Sequence, residues 1–168
     1  MNVVQTKVRA KKIQERNLEL RKQFWPEIKE EMLWYRKRDK GFTTIPRTMT
    51  YIMKIMDELS NGKPVSSTYF TLWCHGSDES FIKNDNAKEL AFESGFRGER
   101  AETTWKSRMN ILQELGFIDA KSGSSGAYNY VLIFNPYRII KKHFESGRIS
   151  QQDTYRAFLD RAIYVGAI

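Results

Sequence analysis

The stretch Asn86–Lys121, NAKELAFESGFRGERAETTWKSRMNILQELGFIDAK, decides the fold of this chain. It sets two amphipathic runs on either side of a glycine-bearing corner and then passes into a β-rich segment. In the first run Ala87, Leu90, Ala91 and Phe92 share a helical spacing, with Asn84 or Asp85 starting the helix. Gly95 supplies the backbone freedom that a sharp turn requires. From Glu99 the positions Ala101, Thr104, Trp105, Met109, Leu112 and Leu115 keep helical spacing up to Gly116, which predicts a helix over 99–115. Its opposite face carries Arg100, Thr103, Lys106, Ser107 and Asn110. The following FIDAKSGSSGAYNYVLIFNP reads as strand, loop and strand, with 123–126 as a flexible tip and Pro136 closing the hairpin.

Working outward, Phe81–Lys83 reads as a brief strand, and SSTYFTLWCHG before it as a short buried helix capped by Ser66 or Ser67. TTIPRTMTYIMKIMDELSNG is a clear helix, with Thr44 as cap, Pro46 at its start and Met49, Ile52, Met53, Met56 and Leu59 on one face. Pro26 suits the first turn of a helix PEIKEEMLWYRKR, whose Glu27, Glu30 and Glu31 lie early and Arg36, Lys37 and Arg38 late, as the macrodipole favours. Residues 5–24 favour helix, with Ile13, Asn17, Leu20 and Phe24 as a narrow stripe; disorder is expected in the first dozen residues. After the hairpin come PYRIIKKHFESG and SQQDTYRAFLDRAIYVG, the latter started by Ser150 and Asp153 and burying Tyr155, Phe158, Leu159, Ala162 and Ile163.

In order, helix, short strand, helix, tight turn, helix, strand, glycine-rich loop and strand are the parts of a winged helix-turn-helix domain. The run ELAFESGF…RAETTWKSRMNILQELGFIDAK…YNYVLIFNP resembles the pattern of bacterial winged-helix DNA-binding proteins, and is similar to regulators and replication proteins of mobile elements. The resemblance covers roughly residues 46–136. It implies a mostly α protein with a small β-hairpin: a winged helix-turn-helix core (44–136), a basic helical extension (1–43) and a C-terminal helical extension (137–168). It also implies sequence-specific binding of double-stranded DNA, in transcription or in plasmid or phage replication or partition, with a recognition helix at 99–115 and a wing at 119–134. The residues expected at DNA are Arg97, Arg100, Thr103, Lys106, Ser107, Asn110 and Lys121. A homodimer on a palindromic site is the default for the class.

Composition fits this reading. The 168 residues, 40% hydrophobic, suffice for one respectable core. No run approaches roughly 18 consecutive apolar residues and the start lacks an apolar signal core, so a cytoplasmic protein without membrane partners is expected. One cysteine, Cys74, excludes an internal disulfide, and with only His75 and His143 besides, no zinc spacing exists. No metal or cofactor is expected. The net charge is +8, and residues 1–40 hold 12 basic against six acidic side chains, so +6 sits there. Such an arm reads as a solvated helix face, as a tracker of phosphates outside the hairpin's footprint, or, through Ile13, Leu20 and Phe24, as a surface for a second copy.

Glu99 and Glu102 lie near the proposed reading face and repel phosphates unless paired, with Arg100 or Lys106 as the expected partners. Trp25, Trp34, Trp73 and Trp105 can stack bases but at helical spacing read as packing anchors, Trp105 being the one with the better claim on DNA. Cys74 and His75 read as core and edge, the Met49, Met53 and Met56 stripe as core, and SGSSG as a hairpin tip without the lysine of a phosphate loop. No activated nucleophile is present, so an enzyme is not expected. The chief rival is a winged-helix module that docks on a replication or segregation protein instead of DNA.

Overall fold

A 22-residue helix, α1 (Val3–Phe24), opens the chain in the computed structural model, which describes the backbone of residues 3–168 and the side chains of Val8 and of Lys11 onward. It takes in most of the dozen residues for which disorder is expected. Lys7 and Arg9 of the expected arm lie outside the described side chains. The chain divides into two units, Met1–Phe42 and Thr43–Ile168.

In the first unit the helix expected from Pro26 does not form. Only a single 3-10 turn, Glu30–Met32, is present, and none of its residues is buried. Helices of this length depend on an apolar face with something to pack on; here Ile28, Met32, Trp34 and Tyr35 all stay exposed. A competing set of polar contacts holds the chain instead. Arg38 donates to the carbonyls of Glu30 (3.0 Å) and Leu33, and pairs with Asp39 (3.0 Å), whose carboxylate also accepts from the Tyr35 N–H.

The second unit starts with α2 (Met49–Leu59). Its cap is Thr48, not Thr44, and Pro46 lies before it in a turn that accepts from Met49 N. Met49, Ile52, Ile55, Met56 and Leu59 are buried, whereas Met53 is only half-buried. The arc is wider than one stripe because α2 packs against helices on two sides. α3 (Ser66–His75) is capped from outside itself: Asp57, near the end of α2, accepts from Val65 N (2.7 Å), Ser66 N (2.8 Å) and Ser66 Oγ (2.6 Å).

Next come β1 (Phe81–Lys83), α4 (Ala87–Glu93), α5 (Ala101–Glu114), β2 (Ile118–Gly123) and β3 (Gly126–Ile133). The sheet is antiparallel, with β3 between β1 and β2. Ile82 pairs with Val131, and Ile118 with Ile133, so these four side chains line the inner face. The core joins them to Tyr69, Leu72, Trp105, Met109, Leu112 and Phe117.

α6 (Pro136–Glu145) and α7 (Gln152–Tyr164) close the unit by packing on α2. Pro136 is the first residue of α6, with Asn135 as cap, accepting from Tyr137 N at 3.0 Å. At α7 the cap is Gln151, whose side chain makes no capping bond to the helix backbone, in place of the expected Ser150 and Asp153. Tyr155, Phe158 and Ala162 are buried as expected, but Ile163 is 64% exposed. A buried imidazole links this part to α5: His143 Nε2 donates to the Leu115 carbonyl at 2.7 Å while its ring stacks on Phe117. Seven helices and one three-stranded sheet are thus present among the described residues, and no described helix is long and apolar enough to cross a membrane.

Leu112 is fully buried. Leu112→Ala is expected to lower unfolding free energy by about 2–5 kcal/mol in denaturant melts, and a loss below about 0.5 kcal/mol would show that α5 does not hold this rotational phase.

Candidate nucleic-acid interface

The corner between α4 and α5 is built by local chemistry. Asn86 caps α4, its side chain accepting from Glu89 N (3.2 Å) and donating to Glu89 Oε2 (3.1 Å). The helix ends where Gly95 takes φ +92° and Phe96 N reaches back to the Ala91 carbonyl. α5 then starts after Arg100, which occupies the cap position and makes no side-chain cap bond. The first N–H groups of α5 therefore have no side-chain acceptor at the cap, and Arg97 and Arg100 stand exposed beside them.

One face of α5 is committed to the interior: Trp105, Met109 and Leu112 are fully buried. Trp105 meets Tyr128 edge-on at 5.7 Å. Trp105 is thus the packing anchor that its helical spacing implied, and its ring, enclosed in the core, is closed to a base. The opposite face is open, with Arg100, Thr103, Lys106, Ser107 and Asn110 all exposed. Lys106 pairs with Glu102 at 2.7 Å, and Asn110 donates to Glu114 at 2.7 Å; both are same-helix pairs four residues apart. Exposed pairs of this kind contribute about 0–1 kcal/mol, so a phosphate or base edge can displace them. Arg100 has no ion-pair partner among the described residues.

Two features were not legible beforehand. Phe92, expected inside, is 58% exposed and lies under the Arg97 guanidinium, 4.6 Å from its ring centroid. Arg108, absent from the expected set, is half-buried over Phe96 at 5.8 Å, its Nε without a partner among the described residues. Neither contact has a helical spacing to mark it: Phe92 and Arg97 meet across the corner, and Phe96 and Arg108 lie in different segments of the chain.

The hairpin is held beside α5 by a polar lock. Asn129, fully buried on β3, donates to the Asn84 carbonyl (2.7 Å) and to Asp85 (3.2 Å); Asn84 donates to the Tyr128 carbonyl (3.2 Å). Asp85 also meets Lys83 (3.1 Å) and, at the tip, Ser125 Oγ (3.3 Å). Lys83 first, then Asn129, hold the Asp85 carboxyl below its ordinary 3.8. This contribution is complete above that ordinary value and is lost as pH falls through the lower folded one. Asn84 and Asp85, expected to start α4, instead tie down the hairpin. The tip is only Ser124–Ser125, shorter than expected, and Lys121 on β2 is exposed, 3.7 Å from Asp119.

Elsewhere, Cys74 and His75 are both exposed at the end of α3, contrary to a core position for Cys74. His75 Nε2 pairs with Glu93 at 2.5 Å, tying α3 to α4, and partial burial and then Glu93 push the Cys74 thiol up. Among the described residues no group of three His, Cys, Asp or Glu side chains is arranged to hold a metal ion. Comparisons with family models, curated proteins and solved structures give no match.

A Cβ at Gly123 would land on Asn129 Oδ1 and 2.7 Å from the Tyr130 ring. Gly123→Ala is therefore expected to cost about 1–3 kcal/mol of stability, with amide exchange accelerated first in β2 and β3; uniform protection would show that the lock yields without strain.

Proposed function

We propose that this chain is a winged helix-turn-helix protein that binds double-stranded DNA sequence-specifically, with α5 as recognition helix and the β2–β3 hairpin as wing. One observation carries the reading: a single helix has Trp105, Met109 and Leu112 fully buried and Arg100, Thr103, Lys106, Ser107 and Asn110 open to solvent. A helix can read a major groove only when its inner face is fixed to a scaffold and its outer face is free. The strand order β1-β3-β2 around α4 and α5 supports the same reading.

In this reading Arg97, beside the N-terminus of α5, holds a backbone phosphate, where the helix dipole also favours an anion, and Arg100 reaches a guanine edge or a phosphate. Thr103, Lys106, Ser107 and Asn110 address base edges, and Lys121 a phosphate beside the wing. The biological setting is transcriptional regulation or the replication or partition of a mobile element, with a homodimer as the assembly. One observation favours a second reading, docking on a protein partner: Phe81, Leu132 and Phe134 are exposed on the outer side of the sheet, where Phe81 also stacks on Tyr130. Salt separates the two, because phosphate contacts make affinity fall steeply with ionic strength and apolar docking does not.

Random-site selection with the purified protein tests the assignment, and failure to enrich any duplex sequence would sink it. On the selected site, Arg100→Ala with Lys106→Ala is expected to abolish specific binding with the melting curve unchanged; retained affinity would refute the face. Removal of residues 1–24, which carry the exposed Lys11, Lys12, Arg16 and Lys22, is expected to weaken binding to all sequences alike and to flatten its salt slope, whereas an unchanged slope would make the arm a packing element.

A further inference from the structure

The loop after α1 combines two properties that rarely occur together on a free surface. Its rings are exposed, Trp34 by 64%, Tyr35 by 51% and Phe42 by 44%, and the cations Arg36, Lys37, Arg38 and Lys40 lie between Tyr35 and Phe42 in the chain. The packing role expected for Trp34 is not the one it has. The loop is also shaped from within: Arg38 and Asp39 spend their polar groups on the Glu30 and Leu33 carbonyls, the Tyr35 N–H and each other. Arg38 first and the Tyr35 N–H second hold the Asp39 carboxyl below its ordinary range. With that pair engaged in the loop's own contacts, Arg36, Lys37 and Lys40 are left without an ion-pair partner among the described residues and face water. Phe42 has the Trp34 ring edge-on at 5.7 Å and the Arg36 guanidinium over it at 5.7 Å.

We propose that this loop is a binding site for single-stranded nucleic acid, with Trp34 and Tyr35 stacking on bases and Arg36, Lys37 and Lys40 holding phosphates. Stacking needs a base with an open face, which a single strand offers and a duplex does not. An apolar protein partner fits less well, because covering these rings would also strip water from the cations between them. A bilayer fits less well too, since interfacial insertion uses a continuous apolar helical face and this segment has one short 3-10 turn. The site lies outside the unit that contains α5, and the inference does not rest on the duplex reading.

The test uses the full chain and a fluorescein-labelled oligothymidylate of about 15 nucleotides, long enough for one such site. Trp34→Ala with Tyr35→Ala is expected to weaken binding on the order of 10- to 100-fold with an unchanged Tm, and the Trp34→Phe, Tyr35→Phe variant to recover most of it. Arg36→Ala with Lys37→Ala is expected to reduce the salt slope. The inference is overturned by unchanged oligothymidylate affinity in the alanine variant, or by a lowered Tm, which would make the rings packing elements. It is equally overturned if that variant loses binding only to phosphatidylserine vesicles. Arg100→Ala with Lys106→Ala is expected to leave oligothymidylate binding intact; if it does not, the strand binds at α5 and the loop assignment fails while the duplex reading stands.

Discussion

The rotational setting of α5 rests on Trp105, Met109 and Leu112, and everything the helix offers to solvent follows from it. Each buried side chain of this size contributes about 1.5–3 kcal/mol by leaving water. Turning the helix by one residue would expose them and bury Lys106 or Asn110 in their place, with the further cost of an unpaired polar group. The Glu102–Lys106 pair is too weak to oppose this, at about 1 kcal/mol or less. The apolar side therefore chooses the orientation, and the polar side inherits it.

The hairpin is governed by different physics. Its tip has almost no apolar contact to lose, since residues 121–127 are exposed, so its position is set by the Asn84, Asp85 and Asn129 contacts. Hydrogen bonds of this kind are directional and costly to leave unmade inside a protein. They hold the strand ends in one register next to the start of α4, and Gly123 is the residue without a side chain that lets Asn129 lie there. The face proposed for DNA thus combines a helix positioned by burial with a hairpin positioned by directional polar contacts.

How much of this could be read in the sequence varied with how strongly burial constrains each segment. The order of elements from α2 to β3, the strand Phe81–Lys83 and the two faces of α5 were legible, because periodic apolar residues mark a shared interior. The helix expected after Pro26 was not, since propensity and dipole pattern speak for it while the absence of a packing surface decides against it. Phe92 and Ile163 follow helical spacing yet face solvent, because periodicity locates a stripe and not its edges. Trp105 lies at the centre of such a stripe, and there spacing and burial agree. The capping of α3 by Asp57 and the lock on the hairpin join residues far apart in sequence, which no local pattern records.

His143 draws a last consequence from the two helices that follow the hairpin. Its bond to the Leu115 carbonyl grips the trailing end of α5, so the tilt of that rod depends on a segment remote from the face it carries. A mutational screen for weakened function would accordingly return hits in α6 that touch no ligand. Their common defect would be misaim, with every surface group still present but delivered at the wrong angle.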